Sequence, residues 1–413
     1  MTGIARASRQ DETIKRWGAG GNGDNWHMTW APDDTQFSAL CDGAGFDDPP
    51  VATYNASLLR IQGDPLDLRF TQVAGYPHLV DDFADPALFD RARYYGFGTL
   101  AAGGHVYQYL STFNTPLDLS GAAAGLTFNG AKLIYSADGG ATWRNQDGTT
   151  PVSWPGWGER SRDTLVFFEE PQRAFSLITM LQMGQDYRAN RDGYAYGYAP
   201  NGETDGTMNE MVLFRVPVGQ LLDRSRYEFF QARNADGSAR WTQDIQARGV
   251  VHTFPRGWVN VRSHPYAWHP SVVYDEPLDL YLMANWGMGT DGDMWFTRPS
   301  YLGLWWAATP WGPWEQFHEE TVWTPAGDMA ARAYQPQIAP KWIAADGRSF
   351  WLVWTDFQAP ADRDPMKDLE EDIARFRQGQ ISFGEFQAHR SAMAPYYAFN
   401  AQCVDLTLRS HAR

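Results

Sequence analysis

The stretch Asp24–Gly43, DNWHMTWAPDDTQFSALCDG, sets the pattern for the whole chain. Apolar and polar residues alternate on both sides of Asp33-Asp34, which is strand periodicity interrupted by a turn. Asn25–Leu40 is therefore expected to be a β-hairpin. Four more stretches follow the same grammar of approach, alternating strand, Gly or Asp turn and aromatic-rich strand. They are Tyr94–Leu110 around Gly103-Gly104, Tyr187–Tyr198 around Asp192-Gly193, His269–Trp286 around Asp275 to Asp279, and Tyr334–Trp354 around Asp346-Gly347. The turns recur about every 70–90 residues. Ser57–Ile61, Lys132–Ser136, Met211–Val216 and Leu302–Ala307 supply third strands. Repeats of four-strand size without intervening helices predict an all-β fold, a five-bladed β-propeller in which residues 1–413 form one domain. A pair of two-sheet sandwiches is the competing architecture. The last strand, Tyr397–Leu408, is expected to close the ring against the first blade.

One segment departs from strand periodicity. Asp364-Pro365 supplies an N-cap and a first-turn proline, and Leu369, Ile373 and Phe376 recur at helical spacing up to Gly379. Ser382 and Glu385 then form a capping box that opens a second helix. This small helical insertion, about 364–392, falls between the middle and last strands of the fifth blade. Packing on the propeller wall is the expectation, and a lid is the alternative.

Composition narrows the function. The chain of 413 residues carries 34 basic and 49 acidic side chains, a formal net charge of −15. Such a surface repels phosphate backbones and anionic lipid, so neither a nucleic acid nor a membrane is the expected partner. No run approaches the 18 apolar residues of a membrane span. Residues 1–23 lack the apolar core of a secretory signal, which suggests a cytoplasmic protein unless an export signal has been trimmed. With two cysteines, Cys41 and Cys403, the chain is neither a disulfide scaffold nor a zinc module; two separate thiols are expected, a clasp being the alternative. Phosphate-loop, nucleophile-elbow and zinc-protease motifs are absent. Aromatic residues make up 15% of the chain.

Ser136-Ala-Asp138-Gly-Gly140-Ala-Thr142-Trp143 has the Ser-x-Asp-x-Gly-x-Thr-Trp pattern of an Asp box. Its Ser and Asp tie down a tight turn and its Trp packs beneath, so Asp138 is expected to be structural. The densest polar cluster lies in the first blade, where Asp24 and Asp42 stand at the two outer ends of one hairpin, side by side at one edge of the blade. Two carboxylates at one mouth of a propeller are what acid-catalysed glycosidic cleavage requires: one protonates the leaving oxygen, the other attacks or activates water. On spacing alone they could equally be turn-forming residues. Asn25, Trp26, His269, Tyr334, Gln337, Arg188 and Trp268 lie near the starts of inner strands or in adjoining loops and are the candidate substrate-binding residues. Trp154, Trp157, Trp258, Trp286 and Trp295 are further candidates for stacking on a sugar face, with core packing as the alternative.

Gly23-Asp24-Asn25-Trp26-x-x-Thr29-Trp30-x-x-Asp33-Asp34, followed by Asp42-Gly43-x-Gly45-Phe46, resembles the opening signature of a domain-of-unknown-function family of five-bladed propellers that includes endo-D-arabinanases. The resemblance continues through Asp192–Tyr196, Leu213–Pro217, Leu222–Phe230, His269–Tyr274 and Tyr334–Trp342. His27 stands where a proline is usual. The resemblance implies a glycoside hydrolase of poly- or oligosaccharide, with arabinofuranosyl linkages first among substrates and Asp24 and Asp42 as its catalytic pair. No cofactor is implied, although a structural calcium beside His269 would suit the axis of such a propeller. Two other functions fit the composition. One is a non-catalytic carbohydrate-binding propeller. The other is a sialidase-like enzyme needing three converging arginines, for which Arg93, Arg188 and Arg262 are candidates.

Overall fold

A computed structural model describes residues 3–81, 93–113, 128–156, 158–202, 209–255, 268–291 and 298–409. Trp157, Trp258, Trp295 and Arg262 lie outside the described residues. Five antiparallel sheets make a five-bladed β-propeller. The first blade runs outward through Met28–Trp30, Gln36–Gly43, Thr53–Gln62 and Arg69–Gln72. The second uses Tyr94–Ala102, His105–Phe113, Phe128–Ser136 and Arg144–Asn145. The third begins at Thr179–Met180 and continues through Tyr194–Pro200, Glu210–Pro217 and Glu228–Arg233. The fourth comprises Ser271–Asp275, Leu280–Asp291, Arg298–Ala307 and Glu315–Glu320. Ala333–Ile343, Ser349–Asp356, Phe399–Leu408 and Ile4–Arg9 form the fifth.

The hydrophobic clusters lie between blades and run round the ring. Phe37 and Leu58 of the first blade pack with Tyr94 and Ile134 of the second. Tyr109 and Leu133 of the second pack into one cluster with Leu213 of the third and Met283 of the fourth. Leu282 of the fourth joins Leu352 of the fifth, and Val353 and Phe399 of the fifth join Trp26 and Leu40 of the first. Each sheet thus buries both faces against neighbours, which accounts for strands that are apolar almost throughout. A narrow hollow of about 10 Å³ on the axis is lined by Met28, Thr99, Thr179, Ser271 and Gln337, one from each inner strand. Neighbouring blades that share core clusters around one axis replace the sandwich alternative.

Two expectations are corrected. Phe399–Leu408 does not pair with the first blade. It is the third strand of the fifth, and Ile4–Arg9 adds to it as the fourth, Arg9 opposite Val404 and Ile4 opposite Leu408. The inner strand of the third blade is Thr179–Met180, upstream of Tyr187. Gly184, Asp186 and Tyr187 all have positive φ, which extended strand does not allow, and they form a loop instead.

The Asp box folds as its sequence requires. Asp138 accepts from the Thr142 amide at 2.8 Å and from its hydroxyl at 2.6 Å, and these bonds lower its pKa to about 2. The insertion forms helix α1, Pro365–Arg377, capped by Asp364, and helix α2, Phe383–Met393, capped by the Ser382–Glu385 box. Neither is long and apolar enough to cross a membrane.

Candidate functional site

All five inner strands start from the same mouth of the propeller, so residues just ahead of each strand meet there. Asp24 precedes the first strand and bridges Cys41, its backbone N–H and C=O both bonded to that residue at 2.9 and 3.0 Å. Asp42 follows Cys41, so both carboxylates come from the ends of one hairpin, near enough for the Asp42 charge to act on Asp24. The backbones crowd together here: a Cβ on Gly43 would lie 2.1 Å from the Asn22 carbonyl oxygen. Asn25, Asp42, His269 and Gln335 take φ of 61°, 51°, 30° and 53°. Non-glycine residues in this region carry strain, and such positions gather at functional sites.

Asp24 is 5% exposed. Tyr334 donates its hydroxyl to Asp24 Oδ2 at 2.8 Å from the fifth blade, and Asn25 Nδ2 donates to Oδ1 at 2.6 Å. Its pKa stands well above the usual carboxylate range. Burial is the main cause and the Asp42 charge the second, while hydrogen bonds from Tyr334, Tyr397 and Asn25 pull the other way. Asp42 is more open, its side chain 35% exposed. Arg93 Nη2 donates to Asp42 Oδ1 at 2.6 Å and reaches Asp81 with both Nη atoms, at 2.8 and 3.1 Å. Burial raises the Asp42 pKa too, but the Arg93 guanidinium opposes that rise, and Asp81 adds to it. Turn aspartates elsewhere look different. Asp33, Asp147, Asp223 and Asp236 each accept from the backbone N–H two residues on. Asp24 and Asp42 are held from other blades.

Of the other expected site residues, Asn25 and Tyr334 meet Asp24 directly. His269 is fully buried on the axis, stacked on Phe97 at 4.4 Å and edge-on to His27 at 4.9 Å. Burial lowers the His27 pKa to about 3, so it stays neutral. Trp268 is 5% exposed and packs with Trp286, Phe97 and Phe128 beneath the mouth. Three expectations are corrected. Trp26 has no exposed surface and belongs to the core with Phe399 and Phe46, so it presents no face to a sugar. Gln337 lines the axial hollow, and the residue two places earlier, Gln335, is the one near the pair, accepting from the Asn25 N–H at 3.0 Å. Arg188 lies in a loop at the opposite mouth, where neighbouring Gln185 donates to the Pro32 carbonyl and Asp186 accepts from the Gly104 N–H. Arg93 and Arg188 therefore serve opposite ends, which removes the sialidase-like triad.

Trp154 packs on Tyr94 within the cluster joining the first two blades, and Trp286 is 1% exposed. Both cysteines are free; Cys41 is buried beneath the mouth and Cys403 lies on the fifth blade. Around His269 the structure places imidazole, amide and aromatic groups, and no three His, Cys, Asp or Glu side chains converge among the described residues. Sequence reasoning missed Asp81, Tyr397 and Arg390, and placed Arg93 only among three unlinked arginines. Arg93 had a usable signal: it stands immediately before an inner strand, as Asp24 stands at the head of its own.

No protein-family model and no curated protein matches the chain. Solved structures similar to it include the Bacteroides ovatus protein described as xyloglucan PUL GH43B, at 11% identity over 84% of this chain and 51% of that one, with TM-score 0.44. A xylan β-1,4-xylosidase from Bacillus halodurans C-125 gives 9% identity over 84% and 52%, with TM-score 0.46. A GH62 hydrolase in complex with xylotriose gives 9% identity over 98% and 96%, with TM-score 0.40. The chain spans about half the length of the first two. The five-bladed architecture stands on this chain's own strand pairing, and the chemistry of the site on its own residues.

Proposed function

We propose that the chain is a glycoside hydrolase acting through Asp24 and Asp42. The observation that carries this is the pair's asymmetry: adjacent carboxyls, one sealed among hydroxyl and amide groups, the other open and facing a guanidinium. Environments that push two carboxyls apart assign acid and base. Asp24, whose pKa burial and the Asp42 charge raise, is the carboxyl that holds the proton and passes it to the glycosidic oxygen as the C–O bond breaks. The Asn25 amide, turned over, can accept that proton's hydrogen bond through Oδ1, which is buried without a partner. Asp42, where the Arg93 guanidinium opposes the rise that burial causes, is the carboxylate that either attacks the anomeric carbon or takes a proton from the attacking water. Arabinofuranosyl linkages in a poly- or oligosaccharide are the first substrates to try, on the resemblance of the first-blade signature.

The test is release of sugar from a panel of furanosyl and pyranosyl oligosaccharides, followed by Asp24→Asn and Asp42→Asn. Acid–base catalysis contributes roughly 10²–10⁴ in rate, so each variant should lose about that much turnover while still binding the glycan. Binding without turnover by the unaltered protein would instead identify a carbohydrate-binding propeller.

A further inference from the structure

Helix α2 does more than lie on the propeller wall. One stretch of it, Gln387 to Ser391, reaches both loops that carry the carboxylates. Gln387 Nε2 and Arg390 Nη1 donate to the same hydroxyl, Thr53 Oγ1, the latter at 3.1 Å. Arg390 Nη2 donates to the Asp42 carbonyl oxygen at 3.4 Å, and Ser391 Oγ donates to the Gly20 carbonyl at 2.8 Å. The backbone beyond the helix continues the attachment: Gly21 N–H bonds Ala394 and Asn22 N–H bonds Tyr397. Contact is so close that a Cβ on Gly20, at φ +101°, would lie 2.6 Å from the Ala394 carbonyl oxygen.

Charge gives this attachment a consequence. Asp42 and Asp81 face Arg93 from the second blade and Arg390 from the insertion, and Asp24 is joined to this set through the neighbouring Asp42 charge. The remaining titratable neighbours are Cys41, Tyr95, Tyr334 and Tyr397, all kept neutral by burial. Three carboxyls against two guanidinium groups balance only when one carboxyl is protonated, and Asp24 is the most buried of the three. Removing either cation would draw protons onto the acids that remain.

We propose that Arg390 is a positioning residue for the carboxyl pair: the helical insertion supplies the second cation that keeps Asp42 ionised and in register while Asp24 holds the shared proton. This deepens the hydrolase reading and rests on it for its catalytic meaning, but the charge coupling can be measured without turnover. Opposite charges within a few ångströms move a pKa by roughly 1–3 units, and partial exposure trims this. Arg390→Gln should therefore raise both limbs of the kcat/KM pH profile by about half a unit to one unit, and Arg390→Lys should return them toward the original positions. The same upward displacement should appear in carboxyl ¹³C NMR titration of Asp24 and Asp42. Should Arg390→Gln fail to fold, Thr53→Val removes the shared hydroxyl anchor and should displace the carboxyl titrations in the same direction by less. Unmoved titrations in a folded variant overturn the proposal, even if activity or melting temperature falls. A glycan panel without turnover would overturn the hydrolase reading alone and leave the titration result standing.

Discussion

Tyr334 reaches Asp24 across 310 positions of sequence, and its hydroxyl donates to a carboxyl that burial would otherwise keep protonated even more strongly. A donor favours the ionised acid, so losing it raises the acid's pKa further. One such bond is worth about 1 kcal/mol, or about 0.7 of a pH unit. Tyr334→Phe should thus move the alkaline limb of the activity profile upward by about that amount and leave the Asp42 limb in place, which a pH series of kcat/KM would show. Asp24 and Asp42 were legible beforehand because a hairpin brings its own ends together. Their partners were not. Arg93 is 51 positions from Asp42 and Arg390 is 348 positions away, and nothing local says that these chains meet. Trp26 misled for the opposite reason: a tryptophan among glycines looks like a binding surface, but the ring closes over it.

Elements were legible wherever their chemistry is local. The Asp box and both helix caps formed from neighbours within four residues. Trp143 also shows how a local motif serves long-range packing, since it lies edge-on to Tyr76 at 5.1 Å between the first and second blades. Trp143→Ala should cost about 3–5 kcal/mol, read as a lowered denaturation midpoint. The third blade was misplaced because its Asp192-Gly193 turn is followed by a good strand but preceded by a loop, and the short inner strand has no alternation to betray it. The turn of the fourth blade carries a different consequence. Asp275 is fully buried, with Oδ1 accepting from the Leu278 N–H at 3.2 Å and Oδ2 unpartnered, and burial raises its pKa to about 7. The folded state therefore retains a proton that the unfolded chain releases near pH 4. Stability from this group is complete below that pH and is lost as pH rises toward 7, on the order of 3–4 kcal/mol. Asp356, raised to about 6, adds to the same slope. Asp275→Asn should flatten its share, stabilising the protein at pH 8 and changing little at pH 4, as thermal melts at the two pH values would show.

The molecule as a whole depends on where the ring is joined. Its fifth blade takes three strands from one end of the sequence and its fourth, Ile4–Arg9, from the other, so blade packing is completed only when both are present. Composition and repeat spacing announced five blades, but not this join: Ile4–Arg9 is short, and only its partner strand identifies it. Ile4 has no exposed surface and packs among Leu282 and Leu302 of the fourth blade and Leu406 of the fifth. Truncating it to alanine should cost about 2–5 kcal/mol. The effect should extend beyond that corner. The fifth blade carries Tyr334 and the insertion that bears Arg390, and the first carries Asp24 and Asp42, so the site draws on the blade within which the ring closes. Ile4→Ala should lower the melting temperature and, just below the new transition, lose turnover before bulk β-structure, as paired activity and circular dichroism measurements would show. Parallel loss of both signals would mean that the join and the site unfold as one unit with the rest of the ring.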